Sequence, residues 1–190
     1  MKKLSNKRKK DIIEHTKTMF VINQFNKCKH CPLRIYAKEN ETITYGVGNI
    51  NSNVIIVLPT YDANADKDYN TILKLLLDTY KEHIGRNLLE DAYITRIVKC
   101  YKNSPYNLID SAIPSCVNHV SYEIIRHQGK YVVFMGGTKT HIDLYHAKHN
   151  IQLYHKYAVT TYSPAVMYYD NRPTIKDNFI KQLKWISNQV

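Results

Sequence analysis

Four short runs of mainly apolar and β-branched residues constrain the fold of this chain more than any other feature. They are Asn53–Leu58, Ala92–Val98, Lys130–Met135 and Tyr154–Thr161. The first and third runs do not alternate between polar and apolar positions, as expected for strands that are buried on both faces of a sheet.

Stretches with apolar residues at helical spacing lie around these strands. They cover Lys10–Phe25, Asp68–Tyr80, Asn107–Arg126, Thr138–Tyr145 and Thr174–Asn188. Pro114 is expected in the first turn of the third helix. Strands that alternate with helices predict an α/β fold, with a four-stranded, mainly parallel sheet between helical layers. We expect one three-layer α/β/α domain over residues 1–190, with a basic tail at about 1–10.

Ligands of such sheets bind beside the carboxyl ends of the strands. On this prediction, that edge is formed by Pro59–Asp62, Arg96–Tyr106, Gly136–Lys139 and Tyr162–Pro164. Gly137 and Lys139 lie where a strand gives way to a helix, so the backbone N–H groups there suit a phosphate. A plain strand-to-helix turn explains the same residues equally well.

The chain has four cysteines, Cys28, Cys31, Cys100 and Cys116. Disulfides are the weakest interpretation, because no signal peptide precedes the cysteines and a chain of this length can bury a core without them. Structural zinc sites usually use two short C-x2-4-C pairs, whereas 15 residues separate the second pair here. An iron–sulfur cluster tolerates unequal spacing, and a Cys-Pro pair is familiar from its ligand runs. Spacing alone favours a cluster, then zinc, then unligated thiols, and leaves all three open.

Charge indicates the class of partner. Lysine and arginine exceed aspartate and glutamate by 27 to 16, which gives a net charge of +11 and favours nucleic acid before an anionic membrane. No apolar run approaches the ~20 residues of a membrane span, so we expect no membrane partner. We also expect a monomer. The histidines from His141 to His155 have only a weak metal-binding spacing and are interpreted as surface residues.

The residues around the cysteines resemble the family 4 uracil-DNA glycosylases, the iron–sulfur branch of that superfamily. The family's C-x2-C-P-L, its G-x-G-N turn and the following strand are matched by Cys28–Leu33, Gly46–Asn49 and Val54–Val57. Its Y-I-T-N-V-V-K-C strand is matched by Tyr93–Cys100, and the resemblance covers about residues 25 to 187. It implies a uracil-DNA glycosylase-like fold and DNA as the partner. It also implies one structural 4Fe–4S cluster held by Cys28, Cys31, Cys100 and Cys116, for which zinc, allowed by the spacing, is the alternative.

Two pocket positions of that family are altered in the first half of the chain. A glycosylase must hold an extruded base and activate water as the glycosidic bond breaks. Pro59 stands where the family has the Glu that orients this water, and Asp62 is the carboxylate that could replace it. The loop with the family's stacking Phe is shortened, which leaves Tyr61 or Tyr69 to stack on a base.

Two more pocket positions are altered later in the chain. Arg96 replaces an Asn that pairs with the uracil edge, and arginine offers donors only, which suits a phosphate or a purine edge. The family's H-P-[AS] motif, whose His stabilises the leaving base, reads Ser163-Pro164-Ala165. We therefore expect a DNA-binding iron–sulfur protein of DNA repair or replication with weakened or lost uracil excision. The alternative is an active DNA glycosylase of altered specificity that uses Asp62 and Ser163.

DNA contacts are expected around the predicted crevice, from Tyr61, Tyr69, Arg96, Gly137, Lys139, Tyr162 and Pro164. A replication or repair protein is a further expected partner. The expected location is the cytoplasm of a bacterium or of a bacteriophage-infected host, which the Lys- and Asn-rich composition suits.

Overall fold

The computed structural model describes residues 28, 31–34, 46–59, 71–99, 106–151 and 156–190. The strands are β1 (Val47–Gly48), β2 (Val54–Leu58), β3 (Ala92–Arg96), β4 (Tyr131–Met135) and β5 (Tyr157–Thr161). The helices are α1 (Thr71–Ile84), α2 (Leu88–Asp91), α3 (Tyr106–Arg126), α4 (Thr138–His149), α5 (Val166–Tyr169) and α6 (Pro173–Ser187). The predicted helix Lys10–Phe25, the basic tail, Tyr61, Asp62, Tyr69 and Cys100 lie outside the described residues.

The sheet has the order β1-β3-β2-β4-β5. The α/β class is confirmed, and the four predicted strands are the parallel strands β2 to β5. The predicted strand number is wrong, because the described residues add β1, which is antiparallel to β3. Strand β1 has only two residues, which is too short for a pattern in the sequence. Gly48 lets β1 lie close to β3, since its φ is +95° and a Cβ there would lie 2.3 Å from the Ala92 carbonyl oxygen.

Helices cover both faces of the sheet. Because successive strand residues point to opposite faces, Ile55 and Val57 of β2 belong to one core cluster and its other residues belong to the second. On the first face the helices α3 and α4 contribute Ala112, Ile113, Cys116, Val117, Val120, Ile124 and Ile142. On the second face α1 and α6 contribute Leu76, Tyr80, Phe179, Leu183 and Ile186. All five residues of β2 are buried, which explains why its sequence does not alternate.

The position of Pro114 in helix α3 differs from the prediction. The helix runs from Tyr106 to Arg126, so Pro114 lies inside the helix and not in its first turn. Pro114 is exposed, so its missing N–H falls on the outer side of the helix. Neither α3 nor any other helix in the described ranges is long and apolar enough to cross a bilayer.

A buried polar contact joins α3 to α4. His146 Nε2 lies 2.6 Å from the hydroxyl oxygen of Ser121, and both side chains are buried. The interpretation of His146 as a surface residue is therefore wrong. It lies one helical turn after the buried Ile142 and so shares the inner face of α4. His141 and His149 are exposed, as expected.

His127 organises the turn between α3 and β4. Its Nδ1 accepts a hydrogen bond from the Gly129 N–H at 3.2 Å, so the proton of the neutral ring lies on Nε2, 3.4 Å from the Ser52 hydroxyl. Lys156 Nζ donates to the carbonyl oxygens of His127 and Gly129. Burial and, second, the Lys156 ammonium lower the pKa of His127 to about 4.

We expect the free energy of unfolding to fall as the pH is lowered from about 7 to about 4. In this window an unfolded histidine, with a pKa near 6.5, binds a proton that folded His127 does not bind. The loss from this residue approaches about 3 kcal/mol near pH 4 and does not grow below it. Burial also lowers the pKa of His146, which adds a loss of the same sign.

Urea unfolding at a series of pH values measures this dependence. The matched variant His127→Asn keeps an acceptor for the Gly129 N–H but does not titrate in this range. Its stability should depend less steeply on pH, and an unchanged slope would contradict the role assigned to His127.

Candidate metal centre and strand-end site

Two cysteines from near the start of the described residues, Cys28 and Cys31, pack with Cys116 of α3 in one core cluster. The Cys31 N–H donates to the Cys28 carbonyl oxygen at 3.1 Å, and the thiols of Cys31 and Cys116 are hydrogen-bonded to each other. Cys31 and Cys116 are buried in the core cluster on the α3 face, and Cys28 packs against it. Cys100 lies outside the described residues, which end one residue before it at Lys99. Of the four predicted ligands, the structure thus pairs Cys31 with Cys116 and places Cys28 near Cys31.

The surroundings of these thiols favour the protonated form. The hydrogen bond with Cys116 and burial raise the pKa of Cys31, and burial and the nearby Cys31 raise the pKa of Cys28. A bound metal reverses this preference because it binds the thiolate, and soft sulfur donors suit an iron–sulfur cluster or zinc. The donor set therefore fits a thiolate-bound group. No three described His, Cys, Asp or Glu side chains are already arranged to hold one ion.

His119 also belongs to this group, although the sequence did not predict it. Its Nε2 lies 3.3 Å from Cys28 Sγ, and its ring is buried. Residues three apart on a helix share a face, so α3 presents Cys116 and His119 together. The sequence feature that could have indicated His119 is its spacing from Cys116. Two residues separate them, as two residues separate Cys28 from Cys31.

A buried ion pair lies in the same layer. Lys99 Nζ is 2.5 Å from Glu123 Oε2, and the two side chains are 2% and 3% exposed. The Thr95 hydroxyl donates to the same carboxylate at 2.5 Å and also contacts Lys99 Nζ. Glu123 lies two helical turns after Cys116, on the same face of α3. The pair therefore ties the end of β3 to the helix that carries Cys116 and His119.

The carboxyl ends of the strands meet, as predicted. A Cβ built on Gly136, whose φ is +62°, would lie 3.5 Å from Ser163 Cβ and 3.8 Å from Pro59 Cβ. The loops after β2, β4 and β5 are therefore in contact at one point. The Ser163 hydroxyl accepts a hydrogen bond from the Ala165 N–H at 3.3 Å, which makes it a turn-capping group.

The predicted phosphate site at the start of α4 is open on one side. Gly137 precedes the helix without a side-chain cap, and a Cβ there would have no atom within 4 Å. Lys139 is partly exposed and forms an ion pair with Asp143 one turn later. The buried Thr138 hydroxyl donates to the Met135 carbonyl oxygen at 3.1 Å, which fixes the turn.

The other predicted DNA contacts are more enclosed. Arg96 lies at the end of β3 opposite Leu58, but it is only 7% exposed. Tyr162 is half-buried against the α6 side of the core, and its N–H donates to Gln182 Oε1 at 3.0 Å. Pro164 is buried. Lys139 and the backbone at Gly137 are therefore the most accessible of the described candidates.

No protein-family model matches this chain, and a search of curated proteins finds no match either. The described residues form an α/β fold in which Cys31 contacts Cys116 and Cys28 contacts His119, and the buried Lys99–Glu123 pair lies further along the same helix, α3.

Proposed function

We propose that this chain is a DNA-binding iron–sulfur protein with a three-layer, uracil-DNA glycosylase-like fold. We propose that it serves DNA repair or replication with weakened or lost uracil excision. The meeting of Pro59, Gly136 and Ser163 at the strand ends carries the proposal. The resemblance assigns the water-orienting Glu to the first of these positions and the base-stabilising His to the last. Both positions border Gly136, as a shared pocket requires, but they hold groups that cannot do that chemistry.

The chemical consequence is a large loss of rate. Proline has no side-chain proton acceptor, and the neutral Ser163 hydroxyl is engaged in a turn and carries no positive charge. Removing one preorganised electrostatic group lowers kcat about 10²–10³-fold, so two such losses leave little uracil excision. The fold is retained without them, which supports a role in binding rather than in bond cleavage.

The cofactor proposal rests on the convergence of Cys28, Cys31 and Cys116. These residues, together with Cys100, would hold a 4Fe–4S cluster, for which zinc is the alternative. When bound, the cluster supplies a cross-link between distant parts of the chain. The thiolates of this chain would then fix the segment around residues 28–34 against α3.

The DNA proposal rests on charge and on the open turn before α4. A net charge of +11 favours phosphate contacts, and Lys139 with the backbone at Gly137 offers donors at the strand-end edge. Binding of this kind positions a protein on DNA with little dependence on base sequence. We propose a cytoplasmic monomer, alone or with a replication or repair protein.

Binding to labelled single-stranded and duplex oligonucleotides at increasing KCl concentrations tests this proposal. We expect the affinity to fall with a log–log slope of about −0.9 for each duplex phosphate contacted. Lys139→Gln should weaken binding to every sequence and make the slope less negative. Lys130→Gln is the matched control, because it removes an exposed lysine that precedes β4 at the opposite edge of the sheet. Absence of binding at low salt would contradict the proposal and indicate a protein-interaction scaffold.

Oligonucleotides with uracil or another modified base, followed by alkali, test the loss of catalysis in the same preparation. We expect no strand cleavage above the level of protein-free samples. Cleavage that Asp62→Asn abolishes would establish the alternative, an active glycosylase with a different carboxylate.

A further inference from the structure

We infer that His119 is a working part of the cysteine centre, where its Nε2–H donates a hydrogen bond to the sulfur of Cys28. The inference rests on the proposed iron–sulfur centre and adds a residue that the resemblance does not supply. Its direct support is the 3.3 Å separation of Nε2 and Sγ, which is within hydrogen-bond range for sulfur. The imidazole is only 5% exposed and Cys28 is half-buried, so the contact is partly shielded from solvent.

The fold holds His119 in position for this contact. Cys116 and His119 are one turn apart on the inner face of α3, a 21-residue helix that packs along the sheet. Val117 and Val120, on either side of the histidine along the helix, are both buried in the same core cluster. One rigid element therefore carries both a proposed ligand and the donor to the sulfur of another proposed ligand.

The chemistry gives the hydrogen bond a specific effect. A neutral thiol is a weak acceptor, but a thiolate that binds a metal carries negative charge and accepts a stronger bond. Apolar surroundings strengthen it further because few other dipoles compete. An N–H···S bond stabilises the more negative, reduced state of a cluster, so it raises the reduction potential. His119 is thus a positioning and tuning residue, distinct from the ligands themselves.

The test compares four anaerobically purified proteins: the wild type, His119→Leu, His119→Gln and Cys100→Ser. Iron and sulfide content and absorption near ~400 nm report the cluster, and a redox titration reports its midpoint potential. We expect His119→Leu to retain the cluster with a more negative potential. His119→Gln can place an amide N–H near the same sulfur, so its potential should lie closer to that of the wild type. Circular dichroism checks that each variant is folded.

The outcomes separate this inference from the proposed function. Equal potentials in the wild type and both His119 variants would mean that the histidine only packs in the core, which overturns the inference alone. Loss of the cluster from both folded His119 variants would also overturn it. Retention in Cys100→Ser would then show that His119 is itself a ligand. A wild type without iron and sulfide would refute the cofactor proposal and this inference with it.

Discussion

Replacing Lys99 with Met is expected to lower the free energy of unfolding by about 3–5 kcal/mol. Lys99 neutralises Glu123 inside the α3 layer, where the two side chains are almost completely buried. Without the ammonium, the carboxylate keeps the Thr95 hydroxyl as a donor but has no opposite charge. A buried charge that has lost its partner destabilises a protein more than the pair had stabilised it, because the desolvation penalty remains. Urea unfolding at neutral pH measures the loss.

The double variant Lys99→Met/Glu123→Leu is the control for this explanation. It removes both charges and fills the space with apolar groups, so much of the lost stability should return. Lys74→Met is a matched surface control, because Lys74 pairs with Asp78 in an exposed i,i+4 contact. Its effect should stay within about 0.5 kcal/mol. A double variant no more stable than Lys99→Met would contradict the charge explanation and point to packing.

The sequence predicted those parts of the fold whose signal is local. Strand β2 was recognisable because every one of its side chains is buried, so no polar residue interrupts the run. The same reasoning could not find β1, whose two residues are held by pairing with β3 and by the conformation of Gly48. Pro114 was misplaced for a similar reason. Packing of the inner face of α3 sustains a helix through a residue that local propensity would put at its start.

In the candidate site, too, local sequence patterns were predictable and contacts between distant residues were not. The Cys28-x2-Cys31 pair and its resemblance to a known family were readable from the chain, and the fold brings Cys31 into contact with Cys116. The Lys99–Glu123 pair joins residues 24 apart on two elements, and no sequence period encodes such a contact. Arg96 was expected at the mouth of the crevice because it lies near the carboxyl end of a predicted strand, yet its side chain is buried where β3 ends.

Replacing Cys116 with Ala is expected to remove the proposed cluster entirely, together with the broad absorption near ~400 nm that this cluster would give anaerobically purified protein. The proposed centre ties the segment around Cys28 and Cys31 to α3, so its loss should also destabilise the protein by several kcal/mol, because a group that binds only the folded state stabilises it.

The measurement must distinguish a ligand from an ordinary buried thiol, since Cys116 is buried in the core cluster in either case. Val120→Ala is the matched control, because Val120 lies on the same face of α3 and is also fully buried. Val120→Ala creates only a cavity, so it should lower the free energy of unfolding by about 1–3 kcal/mol and leave the absorption unchanged. If Cys116 were only a packing residue, Cys116→Ala would resemble Val120→Ala in urea unfolding and would keep its iron and sulfide. If Cys116→Ala alone lost both metal and stability, its thiolate would belong to the metal centre. A cavity of that size explains neither the loss of absorption nor a larger decrease in the free energy of unfolding.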